Sequence, residues 1–237
     1  MNAEYGLVRV VRLDIHVNSA NMAGEVLCTM VTHKNPEYAM SFTSGALLQR
    51  ETVLIAEQYF RQRDWAAVRR VVLGENLLQA RSRRTAERLL GEIVFRLKTL
   101  TESQLAALVD GTEEDQRQIL WLAICKRYPF IREFAIEVVR ERFLQLGPLI
   151  TRGDYESFFS SKAAWHPELE DFSSSTCDKL RQNLFKMLRD AGLLSVDGFV
   201  NGVFLSPAVV QALVQESVTN LAIFPVREED VERWAQQ

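Results

Sequence analysis

"DWAAVRRVVLGENLLQARSRRTAERLLGEIVFRL", residues 64–97, reads as two helices with a turn between them. Asp64 stands where an N-cap belongs, its carboxylate ready to accept from the free N–H groups of a helix start. Trp65, Val68, Val71 and Val72 follow on one face, so Trp65 is expected to be buried. Gly74, within "GEN" at 74–76, ends that helix. Ser82 then caps a second helix, in which Ala86, Leu89, Leu90, Ile93, Val94 and Leu97 recur at three- and four-residue steps. That spacing is the period of a helix with one apolar face.

The same code extends in both directions. "ALLQRETVLIAEQYFRQR", 46–63, offers Leu47, Leu48, Val53, Leu54, Ala56, Tyr59 and Phe60 as an apolar face. "TESQ" at 101–104 has the form of a capping box, and Thr112 caps the helix that contains Ile119, Leu120, Leu122 and Ala123. Pro129 begins "PFIREFAIEVVRERFLQL", with Phe130, Phe134, Ile136, Val139 and Phe143 inward, and "LGP" at 146–148 ends it and marks the expected domain boundary. Beyond it, Asp154 is placed as the cap of "YESFFSSKAAW", and "SSST" at 173–176 opens a helix closed by Gly192. In "LLSVDGFVNGVFLS", 193–206, Asp197-Gly198 and Asn201-Gly202 are the turn signals of a short β-hairpin. Ser206 and Pro207 are N-cap and first residue of another helix.

The expected architecture is therefore mainly α. An N-terminal helical domain, 40–148, contains a helix-turn-helix, and a C-terminal domain, 149–237, has a winged-helix plan with a short hairpin. Residues 1–39 stand apart. "LVRVVRLDIHV", 7–17, alternates with a period near two and has no visible partner strand. This stretch is read as a poorly packed, dispensable leader or an upstream mis-start, with Met22, Met30 and Met40 as alternative beginnings.

Composition excludes several classes. At 237 residues, 47% hydrophobic and 25% charged, the chain is an ordinary globular one. Its longest apolar run, "ILWLAIC" at 119–125, is far short of the roughly 20 residues that span a bilayer. With no secretory signal, the expectation is a cytoplasmic protein with no membrane contact. Cys28, Cys125 and Cys177 are widely spaced, lack a CxxC and read as reduced thiols, two of them in the core. His16, His33 and His166 are isolated from metal-ligand partners, and His166, beside a proline, reads as a surface-loop residue. There is no GxxxxGK(S/T), GxGxxG or GxSxG motif. Glu168, Glu170 and Asp171 lack EF-hand spacing. The acidic runs 113–115 and 228–230 sit in first helical turns, where carboxylates favour the helix dipole. No catalytic residue, metal or cofactor is expected.

The net charge of −3 conceals a basic third: residues 42–100 hold 11 Lys/Arg against 6 Asp/Glu, whereas 101–174 hold 8 against 13. Two elements are candidates for gripping nucleic acid. In the first, Arg83, Arg84, Thr85 and Arg88 occupy the opening turns of the second helix, where free N–H groups also favour an anion. Ser82 and Arg81 precede them, and Arg69 and Arg70 on the preceding helix extend the patch. Glu87 and Glu92 are available to pair with these arginines, which leaves a plain solvated face as the competing reading. In the second, Leu180, Leu184, Met187 and Leu188 are the buried stripe. Lys179, Gln182, Asn183 and Lys186 share the other face, with Ser175 and Thr176 leading. Amide and lysine side chains there suit base edges and phosphates. Winged helices also serve as protein-docking modules, and this wing has no Lys or Arg.

Three long blocks resemble the BrxA family, the small helical component of the BREX phage-resistance system. They are "YAMSFTSGALLQRE", the 64–97 stretch, and "LWLAICKRYPFIREFAIEVVRERF", at 38–51, 64–97 and 120–143. The C-terminal third is a looser match. The resemblance implies a non-enzymatic, all-helical protein with similarity to the RNA-binding antitermination factor NusB, helix-turn-helix and winged-helix parts, and binding to double-stranded DNA. It also implies work beside other BREX proteins, among them a methyltransferase, an ATPase and a phosphatase-like component. A protein-docking adaptor and an RNA-binding factor stay open as alternatives, as does a homo-oligomer.

Overall fold

The structure is a computed structural model that describes residues 38–42, 46–145 and 148–235. Its centre is the helix that contains the longest apolar run. α5 (Glu113–Arg127) buries every residue from Gln118 to Cys125, and a helix apolar all the way round belongs in the middle of a protein. Thr112 starts it with a capping box: its hydroxyl accepts from the Asp115 N–H, and the Asp115 carboxylate accepts from the Thr112 N–H. α4 (Glu102–Asp110) opens with the same device at Thr101 and Gln104. Packed against α5 are α4, α1 (Gln49–Gln62), α3 (Arg83–Leu97), α6 (Pro129–Phe134) and α10 (Pro207–Val214). α2 (Trp65–Gly74) joins α1 and α3 at one side.

The C-terminal third is tied into this bundle by buried hydrogen bonds. The Trp121 indole N–H donates to the Ile223 carbonyl at 3.1 Å, within a 3-10 helix at Val218–Ile223. Buried Gln104 donates to the Ala212 carbonyl at 3.0 Å, and Gln118 to that of Phe204 at 2.8 Å. Lys126 pairs with Glu216 at 2.8 Å. The boundary expected at Gly147-Pro148 consequently divides no core. Buried residues on both sides belong to one hydrophobic cluster, and the described residues lie in one compact unit.

Caps at Asp64, Ser82, Ser173 and Ser206 are where the sequence places them. Asp154 is a correction. Thr151 is the N-cap of α8 (Arg152–Ala163), and Asp154 is the third helical residue, its carboxylate accepting from the Thr151 N–H at 2.7 Å. The single helix expected over 129–146 is broken into α6, a π-helical stretch at Ala135–Arg140, and α7 (Glu141–Leu144). After α9 (Ser174–Asp190), Gly192 takes a left-handed φ of 77° and the chain reverses. The hairpin expected over 193–206 does not form a ladder. Among the described residues there are two isolated antiparallel bridges, Leu194 with Val200 and Leu149 with Phe199. Gly198, at φ 90°, makes the Asp197-Gly198 turn as expected. Asn201-Gly202 is not a hairpin turn. Asn201 donates to the Gly192 carbonyl at 3.1 Å, and the Phe143 ring fills the space beside Gly202, where a Cβ would lie 2.9 Å from it. The chain ends in α11 (Glu228–Ala235), which has its three acidic residues in the first turn.

Burial corrects four further expectations. α1 buries Thr52, Ile55, Ala56 and Gln58, so its core face is turned away from Val53 and Leu54, which stay half-exposed. Leu48 before it is in a left-handed conformation, φ 57°, which sets a new helix phase from Gln49. Trp65 is only half-buried and lies flat on Tyr59, with ring centres 4.2 Å apart. His166 is not a surface residue. It is buried, stacks on Tyr38 at 3.9 Å, and bonds the Glu168 carboxylate at 3.0 Å. Cys125 is in the core and Cys177 half-buried.

The leader expected to end at 39 lies outside the described residues except for Tyr38 and Ala39, and Tyr38 is part of the core. Its N–H donates to Glu168 at 2.9 Å and its hydroxyl to Glu133 at 2.6 Å. A chain beginning at Met40 should therefore lose roughly 3 kcal/mol relative to one beginning at Asn35, the cost of removing a buried aromatic. Urea unfolding of the two chains measures the difference, and equal midpoints would show that Tyr38 contributes nothing.

Candidate nucleic-acid interface

The site grows from the way α2 is joined to α3. Asp64 accepts from the Ala66 and Ala67 N–H groups, and these bonds hold its carboxyl below the usual carboxylate range. After Gly74 the chain crosses residues 75–82, where Asn76 and Gln79 take left-handed φ values of 48° and 50°. Asparagine tolerates that region better than most residues. The Asn76 amide also spans the turn, accepting from the Ala80 N–H at 3.1 Å and donating to the Ala80 carbonyl at 3.3 Å. The turn is fixed by its own side chain, a role that sequence reading missed although Asn in a left-handed turn is its usual signal.

α3 begins at Ser82, whose hydroxyl accepts from the Thr85 N–H at 3.2 Å and meets the Thr85 hydroxyl at 2.9 Å. Ser82 and Thr85 thus satisfy one another, leaving the N–H groups of Arg83 and Arg84 without an intrahelical acceptor. Ala86, Leu90, Ile93 and Leu97 are buried, as the spacing predicts. Arg69, Arg70, Arg81, Arg83, Arg84 and Arg88 are all exposed. Glu87 collects two of them, Arg83 at 3.3 Å and Arg69 at 3.8 Å. Exposed pairs of this kind contribute little. Among the described residues Arg70, Arg81, Arg84 and Arg88 have no carboxylate within 4.0 Å, so four cations on two adjoining elements are available to an external anion.

One arginine serves the opposite purpose. Arg96, also in α3, is 1% exposed, pairs with Glu92 at 2.7 Å, and donates to the Ala46 carbonyl at 3.0 Å. The Tyr128 hydroxyl donates to the same Glu92 carboxylate at 2.6 Å. Reading Glu92 as a partner for a neighbouring arginine is right in kind, and burial makes the pair structural.

The second element divides. Lys179, Gln182 and Lys186 are exposed on α9, as is Ser175, while Thr176 is half-buried. Ser173 bonds the hydroxyls of Ser175 and Thr176, and Lys186 is paired with Asp190 at 2.8 Å. Asn183 is a correction. It is buried and donates to the Phe42 carbonyl at 3.0 Å, so it holds the N-terminal segment and presents nothing to a ligand. Its position borders the Leu180–Leu184–Met187 stripe, and the 38–42 segment covers that edge. Among the described residues no ion pair or hydrogen bond joins the exposed residues of α9 to the arginines of α2 and α3, no cluster of His, Cys, Asp and Glu is placed to hold a metal, and no helix is long and apolar enough to cross a membrane.

These features define a mainly helical protein whose unpartnered cations gather where one helix meets the next. The chain belongs to the BrxA family, whose model matches residues 36–217. A BREX protein BrxA of Escherichia coli O9:H4 (strain HS) is 31% identical over 182 residues, covering 75% of this chain and 85% of that protein. Another, from Bacillus cereus (strain H3081.97), is 25% identical over 127 residues, 54% of this chain and 64% of the relative. The crystal structure of an uncharacterized protein from Magnetospirillum magneticum has the same fold, with a TM-score of 0.69 at 22% identity over 80% of this chain and 98% of that one.

The two roles of arginine and the placement of Asn183 are open to stability measurement. Arg96→Ala should cost about 3–5 kcal/mol, because it leaves a carboxylate without its buried partner. Asn183→Ala should cost about 1–3 kcal/mol through the orphaned Phe42 carbonyl. Arg84→Ala should move stability by under about 0.5 kcal/mol. Denaturant midpoints that rank Arg84→Ala as the most damaging of the three would reverse the assignment.

Proposed function

We propose that this protein is a non-enzymatic, double-stranded DNA-binding accessory protein of a BREX-type phage defence system. The observation that carries the reading is the set Arg70, Arg81, Arg84 and Arg88, exposed and unpaired with carboxylates around the start of α3. α2, the Asn76-clamped turn and α3 follow in helix-turn-helix order, and in such motifs the second helix enters the major groove by its N-terminal residues. Arg84 and Arg88 are one helical turn apart and face phosphates together. Lys179, Gln182 and Ser175 on α9 are a secondary contact in a winged-helix-like arrangement. BREX membership follows from the relatives, two of which are named as BREX proteins.

A second reading, a protein-docking adaptor among BREX components, is favoured by one feature. Leu149, Val196 and Phe199 are 40%, 89% and 50% exposed around the 194–200 reversal, an apolar tip without Lys or Arg. An RNA-binding role rests on the resemblance to NusB alone.

The double variant Arg84→Glu/Arg88→Glu separates these readings. It should keep its melting temperature, because both residue types are good helix formers. Duplex DNA affinity should fall steeply, and the log–log salt slope should flatten by about one for each lost phosphate contact. Arg117→Glu on α5 should leave binding nearly intact. Titrations of duplex DNA, single strands and RNA at two salt concentrations supply the measurement. A folded double variant with unchanged duplex affinity and slope would remove α3 from the interface, and wild-type protein that binds no nucleic acid favours the adaptor.

A further inference from the structure

Beyond its arginines, the outer side of α3 carries an aromatic ring. Arg84, Arg88, Gly91 and Phe95 follow at four-, three- and four-residue steps, so they form one stripe along the helix. Phe95 is 59% exposed, and the Arg127 guanidinium lies 5.2 Å from its ring centre. Around the ring is a hollow of about 280 Å³, lined by Ser41, Arg88, Leu89, Gly91, Phe95 and Arg127. Pockets for drug-sized ligands begin near this volume, so a single flat ring system suits it better than a larger molecule.

Two carboxylates reach the rim, and both are engaged: Glu87 by Arg83 and Arg69, Glu92 by Arg96 and Tyr128. Among the described residues Arg88 and Arg127 have no carboxylate within 4.0 Å, and the Arg127 Nε is buried with no hydrogen-bond partner. The hollow is therefore apolar on its floor and cationic at its edge. Gly91 adds an independent observation. Glycine weakens a helix interior more than any residue except proline, yet a Cβ at Gly91 would meet nothing within 4 Å. No packing inside the protein calls for a glycine there. What it leaves is bare helix backbone beside Phe95, open to close approach from outside.

We propose that this hollow binds one unstacked nucleobase, laid against Phe95, of a strand whose phosphates rest on Arg84 and Arg88. The proposal rests on α3 being a nucleic-acid face, and it goes further by naming the ligand as a strand with an unpaired base. Aromatic stacking of this kind accepts any base, and the neighbouring guanidinium groups strengthen it. The protein then prefers duplex that carries a single-stranded tail over blunt duplex.

The test measures binding of the full chain to three probes: a blunt duplex, the same duplex with a short thymidine tail, and the same tail made abasic. The tail should tighten binding by about fivefold to a hundredfold, the range that stacking of one base supplies. The abasic tail keeps the phosphates and should lose most of that gain. Phe95→Ala should abolish the gain and leave blunt-duplex affinity unchanged, whereas Phe95→Trp should retain it. Gly91→Ala should raise the melting temperature by about 2–4 °C while reducing the gain, a pairing that a purely structural glycine does not give. Equal affinity for tailed and blunt duplex, or for abasic and thymidine tails, overturns the proposal and leaves duplex binding standing. An undiminished tail gain in Phe95→Ala also overturns it and assigns the ring to a protein contact. Failure of all three probes to bind overturns both this proposal and the reading beneath it.

Discussion

A guanidinium group out of water is costly unless its charge and its donors are met, and Arg96 meets both requirements from three directions. Glu92 comes from the preceding turn of its own helix, Tyr128 is drawn to Glu92 from the end of α5, and the Ala46 carbonyl is supplied by the segment before α1. These contacts fix the rotation of α3 about its axis. Once Arg96 is locked inward with Leu90, Ile93 and Leu97, Arg84 and Arg88 must point outward. The arrangement of the exposed cations is thus a consequence of a buried one, and whatever those cations touch is held to the tolerance of the core.

The same economy operates around α5. Its side chains are covered on all sides, so its few polar groups have to be satisfied by other elements. Trp121 and Gln118 reach residues 204–223 with hydrogen bonds that no solvent molecule competes for. Gln104 on α4 and the Lys126–Glu216 pair reinforce the attachment. The helices after residue 149 are part of the housing of α5, which is why the proline-marked junction at 148 divides no core.

Features decided within a few residues were legible in the sequence. The caps at Asp64, Ser82, Thr101, Thr112, Ser173 and Ser206 were, because a capping side chain and its target are neighbours in the chain. The inward stripe of α3 was legible too, since leucines leave no other face to bury. Features decided by distant chain were not. His166 looks like a loop histidine until Tyr38 arrives from the far end of the sequence to stack on it. Asn183 looks like a reading residue until the Phe42 carbonyl covers it. The apolar face of α1 was misjudged because a left-handed Leu48 resets the helix phase, and nothing in a leucine announces that conformation. In the candidate site, Arg69, Arg70, Arg81, Arg83, Arg84 and Arg88 were identifiable as exposed. Phe95 and Gly91 were not, because a phenylalanine on the wet side of a helix runs against the rule from which the pattern was read.

The π-helical stretch at Ala135–Arg140 changes what a length variant of this protein would do. A π turn accommodates more residues per turn than an α turn, so it works as a spacer that alters the angular setting of everything after it. Phe143 reaches the bare backbone at Gly202 by virtue of that setting. Removing one residue from the stretch would let the helix run on as α and swing Phe143 round by about 100°, the angle of one α-helical residue. The ring would then miss its socket, and a side chain at position 202 would be accommodated. Loss of a residue near 137 and gain of a Cβ at 202 are therefore coupled changes, each costly alone and compatible together.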